Sequence, residues 1–371
     1  AEDVTQRFPN EKVYTCAAGI SPSGRIHFGN FRDLITAYAV MMELQRMGKK
    51  ARLIYSWDDY DRFREVPNGV PENFSKHIGM PLTGVPDPFG EKESYAKRFQ
   101  EELLYATEKM GIDIEYLFQT ELYTNGTYTD LIKVAMQKRE AIAKILLSFM
   151  SGKSKEQREL NEKEYIANYY PISIYSQFTG KDATEILLYD DDYTITYRCI
   201  ETGKEATINF SEKPIVKLAW KIDWPMRWQY ENVVFEPGGP DHSAPGSSYE
   251  VSSLIVKELF EREAPLFIEY GFIGLQGQGS KMSGSKGNVV TPKDLLEVYQ
   301  SSLFKWLYLR KNPKQHFSLS FGSEIYRQYD EFDRKLESLR KGKLDSVEKK
   351  QLEMSFDTTG ETIPAHPFTF R

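Results

Sequence analysis

Apolar and polar residues follow one another near the start of the chain in an order that predicts a strand, a helix and a second strand. Residues 13–19 form a short apolar run, typical of a buried strand. Residues 31–50 carry apolar side chains at spacings of three and four, the pattern of a helix packed on a sheet, and Gly48 ends it. A β-rich run at 51–57 follows. This order predicts a right-handed βαβ unit of a parallel sheet.

Further elements are predicted along the rest of the chain. Residues 130–149 are amphipathic and predict one helix, residues 194–210 predict a hairpin, and residues 294–313 and 324–342 predict helices. Four basic residues of the predicted helix at 130–149 are expected to be exposed: Lys133, Lys138, Arg139 and Lys144.

The turn between the first predicted strand and its helix has the sequence PSGRIHFGN, residues 22–30. Pro22 stiffens its entry, and Gly24 and Gly29 allow a ligand to approach the backbone closely. The helix N-terminus offers N–H groups and a partial positive charge, and His27 and Asn30 add side-chain donors. The turn therefore predicts a polyphosphate site, although such a turn also occurs as simple tight packing.

An acidic cluster, Asp58-Asp59-Tyr60-Asp61, follows the second predicted strand. In parallel sheets ligands lie at the carboxyl ends of the strands, so the turn and this cluster are expected at the same edge. A bound ammonium group would need a carboxylate, and Asp59, Asp61 and Asp223 are the candidates, with Asp59 slightly preferred.

Two more motifs lie in the second half. Residues 279–288, GSKMSGSKGN, are too polar for a core and predict a loop rich in cations and hydroxyl groups. Before them, FEPGGPDH at 235–242 places glycines and an acid ahead of a predicted helix, where a ribose can approach. The tryptophan-rich stretch at 220–228 precedes both; its tryptophans are read equally well as core.

Composition narrows the class of protein. The 371 residues suit two or three domains, and a net charge of −6 argues against non-specific coating of nucleic acid. Two cysteines, Cys16 and Cys199, are too few for a disulfide framework, and Cys199 stands without a second thiolate or a nearby histidine, so no zinc is predicted. No apolar stretch approaches a membrane span, and no signal peptide is recognisable, so we expect a soluble, cytoplasmic protein.

The motif P-x-G-x-x-H-x-G-N resembles the HIGH signature, and Lys281-Met282-Ser283-Gly284-Ser285 resembles the KMSKS loop, of class I aminoacyl-tRNA synthetases. With WDDYDRFREVP, VPDPFGEKESYA and WKIDWPMRW, residues 13–345 resemble the class I lysyl-tRNA synthetases in particular. The chain departs from the family pattern at Asn30, where the last histidine of HIGH would stand, and at Gly284, where a lysine is usual.

The resemblance implies an α/β fold with a Rossmann-type parallel-sheet nucleotide-binding domain, split by a connective insertion and followed by a helical stem-contact region. The expected division is catalytic domain at 1–94 and 213–290, insertion contacting the tRNA acceptor end at 95–212, and helices with the start of a truncated anticodon-binding domain at 291–371. By this analogy the chain is a catalytic fragment that lacks most of the anticodon-binding region.

The implied activity is ATP-dependent formation of lysyl-adenylate from L-lysine, with Mg²⁺ accompanying ATP, and transfer to tRNA(Lys) by a monomeric enzyme. The implied catalytic residues are His27, Asn30, Lys281 and Lys286. The implied ATP-binding residues are Pro22, Ser23, Gly24, His27, Gly29, Asn30, Gly238, Gly239, Asp241, Lys281, Met282, Ser283 and Ser285. The implied lysine-binding residues are Gly19, Ser21, Asp59, Trp220, Asp223, His242 and Tyr270.

Three alternatives stay open at this point. A nucleotidylyltransferase shares the H-x-G-H turn but is usually much shorter. A tRNA-binding paralogue with impaired catalysis is favoured by Gly284 and opposed by His27, Gly29, Asp241 and Lys281. A glutamyl-type synthetase would need a cationic pocket rather than these carboxylates.

Overall fold

The computed structural model describes residues 1–152, 161–275, 289–357 and residue 363. Its strands are β1 Tyr14–Ile20, β2 Ala51–Trp57, β3 Glu115–Phe118, β4 Ile172–Ile174, β5 Thr184–Tyr189, β6 Thr194–Cys199, β7 Glu205–Asn209, β8 Val216–Leu218, β9 Val233–Gly238, β10 Leu266–Glu269, β11 Ile273–Leu275 and β12 Phe317–Leu319. Its helices up to the middle of the chain are α1 Glu2–Arg7, α2 Phe31–Arg46, α3 Tyr95–Lys109, α4 Gln119–Thr124, α5 Thr129–Gln137, α6 Arg139–Ser148 and α7 Glu162–Asn168. The later helices are α8 Trp220–Glu231, α9 Pro240–Ser243, α10 Ser248–Phe260, α11 Pro292–Leu296, α12 Ser301–Leu309, α13 Glu324–Arg340 and α14 Ser346–Phe356. Two short 3₁₀ helices span Glu72–His77 and Leu82–Gly84.

A five-stranded sheet in the order β10-β9-β1-β2-β3 forms the centre of the fold. All four pairings in it are parallel. Because β1 is central and the chain runs outward from it on both sides, the order reverses next to β1, where a doubly wound sheet places its ligand. The predicted α/β class with a parallel central sheet is confirmed.

The first βαβ unit agrees closely with its hydrophobic pattern. β1 begins one residue later than predicted, β2 spans the predicted residues, and α2 buries Leu34, Ile35 and Tyr38. Gly48 follows the end of α2 with φ +76°, a conformation that glycine adopts without strain.

The segment between β3 and β9 builds a second core. The antiparallel sheets β4-β8 and β5-β6-β7 pack with α5, α6 and α10 around buried tyrosines and isoleucines. The predicted hairpin is the β6–β7 pair. Helix α3 contributes Leu103 and Ala106 to the central core, and β3 pairs with β2, so both elements pack with the central sheet.

The predicted helix at 130–149 is two helices, α5 and α6, separated at Lys138. Of its four basic residues only Lys144 is exposed. Lys133 pairs with Asp192, and Lys138 donates to the carbonyl of Glu258 at 2.6 Å. The expectation of an exposed basic face was therefore wrong for most of these residues, because they bind partners distant in sequence.

Helix α12 packs on α2 and is itself packed by α14, while α11 packs on α3 and α13 on α14. Leu303, Trp306 and Phe332 belong to the same core as α2 and β1. In the parts of the chain that are described, no helix is both long and apolar enough to cross a membrane.

Candidate functional site

A cavity of about 380 Å³ opens at the carboxyl ends of β1, β2 and β9, where the order of the strands reverses. Its walls come from residues that are more than 200 positions apart in the sequence. They are Gly19, Ile20, Ser21, Asn30, Asp33, Ser56, Asp58, Asp61, Arg64, Trp220, Trp224, Arg227, Glu236, Pro237, Gly238, His242 and Tyr270.

Eight residues predicted from the sequence are brought together on these walls: Gly19, Ser21, Asn30, Asp61, Trp220, Gly238, His242 and Tyr270. Nine others do not line the cavity, namely Pro22, Ser23, Gly24, His27, Gly29, Asp59, Asp223, Gly239 and Asp241. The predicted loop residues Lys281, Met282, Ser283, Ser285 and Lys286 lie outside the described part of the chain.

The turn at 22–30 is held tightly between the two halves of the molecule. The Tyr95 hydroxyl donates to the carbonyl of Ser23 at 2.9 Å, and the backbone N–H of Phe28 donates to the carbonyl of Val290 at 2.9 Å. A Cβ atom on Gly29 would lie 2.8 Å from Nδ1 of His27 and 3.2 Å from the carbonyl oxygen of Ile273. A side chain at residue 29 would therefore meet the His27 ring and the backbone at Ile273, while the neighbouring Phe28 is bonded to Val290.

The N–H groups at the start of α2 are less available than the sequence suggests. Those of Phe31, Arg32 and Asp33 donate to carbonyls three residues earlier at 3.2 to 3.3 Å. The expectation of free backbone donors there was therefore wrong, since a tight first turn uses them. The helix dipole and the Asn30 side chain, whose oxygen accepts from the N–H of His27, remain at this end.

Two of the acids expected in the cavity lie elsewhere. Asp59 is 2% exposed, and its oxygens accept from the backbone N–H of Thr120 at 2.7 Å and from Gln100 at 3.1 Å. It ties β2 to α4 and α3 and does not line the cavity. The preference for Asp59 is therefore corrected, since protein donors already occupy both of its carboxylate oxygens.

Asp223 is completely buried beneath the cavity. It accepts from Tyr123 and Arg227 and from Nζ of Lys217 at 3.0 Å. Burial alone would raise its pKa, but Arg227 and Lys217 lower the pKa to about 2. Its placement at the cavity is likewise corrected: Asp223 is the ionised centre of a buried charge cluster.

That cluster balances two of the cavity's acids. Lys217 also reaches Asp61 at 3.0 Å, and Arg227 pairs with Asp58. Burial raises the pKa of Asp58 to about 6, with Arg227 opposing the rise. Asp58 and Asp61 therefore already have protein cations beside them.

Asp33 and Glu236 are the two cavity acids without such a partner. No described Lys or Arg forms an ion pair with either of them, although the Trp228 indole N–H donates to Glu236 at 2.6 Å and the Gly19 N–H donates to Asp33 at 3.2 Å. Burial, reinforced by Glu236, raises the pKa of Asp33 well above its ordinary value. Burial raises the pKa of Glu236 to about 7. Two carboxylates in one desolvated space favour a bound cation.

Sequence reasoning missed both residues. Asp33 follows Asn30 by three positions and so faces the same side as the start of α2, which was an available signal. Glu236 is the partly exposed residue of β9, whose other residues are buried. Nothing in the neighbouring sequence distinguishes it from an ordinary surface acid.

An aromatic wall faces these carboxylates. The rings of Trp220 and Trp224 stack at 5.1 Å, and His242 lies 5.5 Å from Trp224. Burial lowers the pKa of His242, which keeps its ring neutral, and its buried Nδ1 has no hydrogen-bond partner among the described residues. The wall suits an aliphatic chain or an ammonium group, which aromatic faces attract.

Two glycines at the cavity stand where the Cβ atom of any other residue would meet neighbouring atoms. On Gly19 a Cβ would lie 2.8 Å from the carbonyl oxygen of Ser56, so β1 and β2 approach closely at the cavity. On Gly238 it would lie 2.5 Å from the ring of Phe267. Packing therefore explains Gly238 without a ligand, whereas a Cβ on Gly239 would meet nothing closer than Tyr270 at 3.6 Å.

Within residues 1–152, 161–275 and 289–357, no group of three or more histidine, cysteine or acidic side chains is arranged to hold a metal ion.

Comparisons with known proteins point to one family. The family model described as tRNA synthetases class I (K) matches residues 1–358. The lysine–tRNA ligase of Pyrococcus horikoshii is 40% identical over 377 residues, a match that covers 100% of this chain and 70% of that protein. The lysine–tRNA ligase of Streptomyces coelicolor is 42% identical, covering 89% of this chain and 61% of that protein. For that of Treponema pallidum the values are 38%, 90% and 62%.

The chain spans between 61% and 70% of the length of these relatives. The residues that line the cavity all lie within the part of the chain that the family model matches.

Proposed function

The chain belongs to the class I (K) tRNA synthetases, and we propose that it activates L-lysine with ATP to lysyl-adenylate and transfers the lysyl group to tRNA(Lys). The names of the relatives support the amino acid and the nucleic acid. As an enzyme of translation it would act in the cytoplasm, as a monomer.

The observation that carries the choice of lysine is the pair Asp33 and Glu236. An ammonium group between them would supply the ion pair that no described Lys or Arg makes with either carboxylate, although Arg64 and Arg227 also line the cavity. The four-carbon chain of lysine would lie against Trp220 and Trp224, with Tyr270 and His242 closing the space. A glutamate side chain would instead meet carboxylates of its own sign.

The proposed chemistry needs positioning more than it needs a nucleophile from the protein. A carboxylate oxygen of lysine attacks the α-phosphorus of ATP, and pyrophosphate leaves. A terminal ribose hydroxyl of tRNA then attacks the carbonyl carbon of the adenylate, and AMP leaves. Fixed orientation in a desolvated site supplies much of such a rate enhancement. Mg²⁺ would arrive with the triphosphate and offset part of its charge.

The ATP side of the site remains a proposal from the sequence. His27, Asn30 and the turn that holds them would meet the triphosphate, and Gly238, Gly239 and Asp241 the ribose. The convergence of Ile273 and Val290 on the turn supports a role for the segment between them. Residues of the insertion would hold the acceptor end of tRNA, and α11 to α14 its stem.

Lysine-dependent exchange of labelled pyrophosphate into ATP tests the proposal. The assay is run with and without tRNA(Lys), with glutamate and ornithine in place of lysine as comparisons. We expect exchange with lysine, weaker exchange with the shorter ornithine and none with glutamate. Absence of lysine-dependent exchange under both conditions would refute the enzyme activity.

A Lys281→Ala variant tests the proposed role of that lysine. We expect a lower kcat with a nearly unchanged KM for lysine, because a cation matched to charge on the transferring phosphate acts in the transition state. Steady-state exchange kinetics measure both constants. A rise in KM equal to the fall in kcat would show that Lys281 binds the ground state instead.

A further inference from the structure

Arg32 is a buried cation on the helix that follows the phosphate turn. It lies in the first turn of α2 and is 1% exposed. Its Nη2 donates to the carbonyl oxygens of Asn312 and Pro313 at 2.7 and 3.0 Å, and its guanidinium carbon lies 5.2 Å from the centre of the Phe317 ring. It thus connects α2 to a segment 280 residues later.

This cation is poorly compensated. Within the described ranges no carboxylate forms an ion pair with Arg32, and its Nε and Nη1 are buried without an acceptor. Burial lowers the pKa of the guanidinium. A buried, unpaired charge is a poor way to stabilise a fold, and an apolar side chain of similar length often does as well or better. Fold stability alone therefore does not account for an arginine at this position.

The guanidinium also leads to the cavity through one shared carbonyl. The oxygen of Pro313 accepts both from Arg32 and from the backbone N–H of Gly271, the latter at 2.8 Å. Gly271 is pressed against this segment, since a Cβ there would lie 2.7 Å from the carbonyl oxygen of Lys314. The preceding residue is Tyr270, which lines the cavity and whose N–H donates to Gly238 at 3.0 Å.

We propose that Arg32 is a positioning residue for the amino-acid cavity. By holding two consecutive carbonyls, it fixes the segment at Pro313, and that segment fixes Gly271 and hence the place of Tyr270 on the cavity wall. Both carbonyls accept from the single nitrogen Nη2, so the ammonium of a lysine, if it reached the same place, could serve one or both of them. The inference rests on the proposed function in one respect: the ligand that Tyr270 meets is taken to be lysine.

Three variants test it: Arg32→Met, Arg32→Lys and Arg262→Met. Arg262 is the matched control, because it is also partly desolvated and donates to a backbone carbonyl, that of Val233 at 2.7 Å, at the opposite end of β9. Lysine KM, ATP KM and kcat are measured by pyrophosphate exchange. Thermal midpoints and amide hydrogen exchange at Tyr270 and Gly271 are measured on the same proteins.

For Arg32→Met we expect the lysine KM to rise about tenfold, as misplacement of a binding group produces, with the ATP KM within about twofold of the parent. Arg32→Lys should recover part of the loss. The amides of Tyr270 and Gly271 should exchange faster in Arg32→Met than in Arg262→Met, which should keep the parental lysine KM whatever its thermal midpoint.

An unchanged lysine KM together with unchanged amide exchange at these two residues would overturn the proposal. So would an equal rise of the KM values for lysine and ATP. Should the parent protein show no lysine-dependent exchange, the proposed function fails, and the amide measurement still decides whether Arg32 positions Tyr270. If Arg32→Met does not fold, Arg32→Lys carries the same comparison.

Discussion

At the scale of single residues, the cavity is defined by which carboxylates the protein has already neutralised. Asp223 and Asp61 share Lys217, and Asp58 pairs with Arg227, so these three are settled before any ligand arrives. Asp33 and Glu236 have no such ion pair, and burial raises the pKa of both. This difference is the basis of the proposal that the cavity takes a positively charged ligand.

An Asp33→Asn substitution should raise the KM for lysine between about 10-fold and 100-fold, the loss expected for one hydrogen bond to a charged group. Pyrophosphate exchange at varied lysine concentration measures it. Asp333→Asn is the control, because Asp333 is a buried carboxylate of α13 outside the cavity. Equal effects of the two substitutions would remove Asp33 from the binding site.

The affinity for lysine should fall as the pH is lowered through the range near 7. Burial raises the pKa of Glu236 to about 7, so below that pH the free cavity holds a neutral acid where the ammonium needs a carboxylate. The KM for lysine, measured between about pH 8 and pH 6, should therefore increase, and Glu236→Gln should flatten the profile. A Glu236→Gln enzyme with the parental profile would assign the titration to another group.

The same pKa makes Glu236 a cost to the folded state. A folded-state pKa above the unfolded one means that the stability contributed by this group is full at low pH and is lost as the pH rises through about 7. At about pH 8, Glu236→Gln should raise the free energy of unfolding by on the order of 2 kcal/mol, and at about pH 4 it should have little effect. Urea unfolding at the two pH values checks this, and a loss of stability at the higher pH would contradict it.

At the scale of elements, periodic segments were predictable and contacts between distant segments were not. β1, α2 and β2 follow from short-range apolar spacing, which fixes both the period and the buried face. The break between α5 and α6 at Lys138 does not follow from apolar spacing, because the Lys138 ammonium binds a carbonyl 120 residues later. The expectation that Asp59 binds the ammonium group was wrong for a similar reason. Its hydrogen-bond partners Gln100 and Thr120 are distant in sequence, and no local pattern reveals them.

A Gly29→Ala substitution should lower the exchange rate by about 100-fold, because the new Cβ would displace the His27 ring or the backbone at Ile273. The KM for ATP should rise more than the KM for lysine, since the turn rather than the cavity is disturbed. Gly322→Ala is the control, because a Cβ atom there would have no neighbour within 4 Å and the backbone is not strained. Parental kinetics in Gly29→Ala would show that the turn tolerates the shift.

At the scale of the whole molecule, one buried cluster joins parts that the sequence separates widely. Lys217 comes from β8 at the end of the insertion, Asp61 from the first half of the sheet and Asp223 from α8. The alternation of domains was expected from the resemblance, but this junction was not, because a lone lysine in a short strand carries no sequence signal of burial. Helix α3 and strand β3, which follow the expected boundary at residue 95, pack with the central sheet, and no local pattern in their sequence indicates this.

A Lys217→Met substitution should destabilise the protein by about 3 to 5 kcal/mol, the usual cost of removing one partner of a buried ion cluster. Denaturant unfolding measures the change. Lys144→Met, at an exposed position of α6, should change stability by less than about 0.5 kcal/mol. If both variants unfold at the parental midpoint, the cluster does not hold the halves together.

The pairing of β1 with β9 has a consequence for how the chain is made. Thr15 lies beside Val233, so the strand that leaves the ribosome first waits for more than 200 further residues before its second neighbour exists. At bacterial or eukaryotic elongation rates that interval is on the order of 10 to 40 s. During that interval the edge of β1 that later pairs with β9 is open to incorrect strand partners.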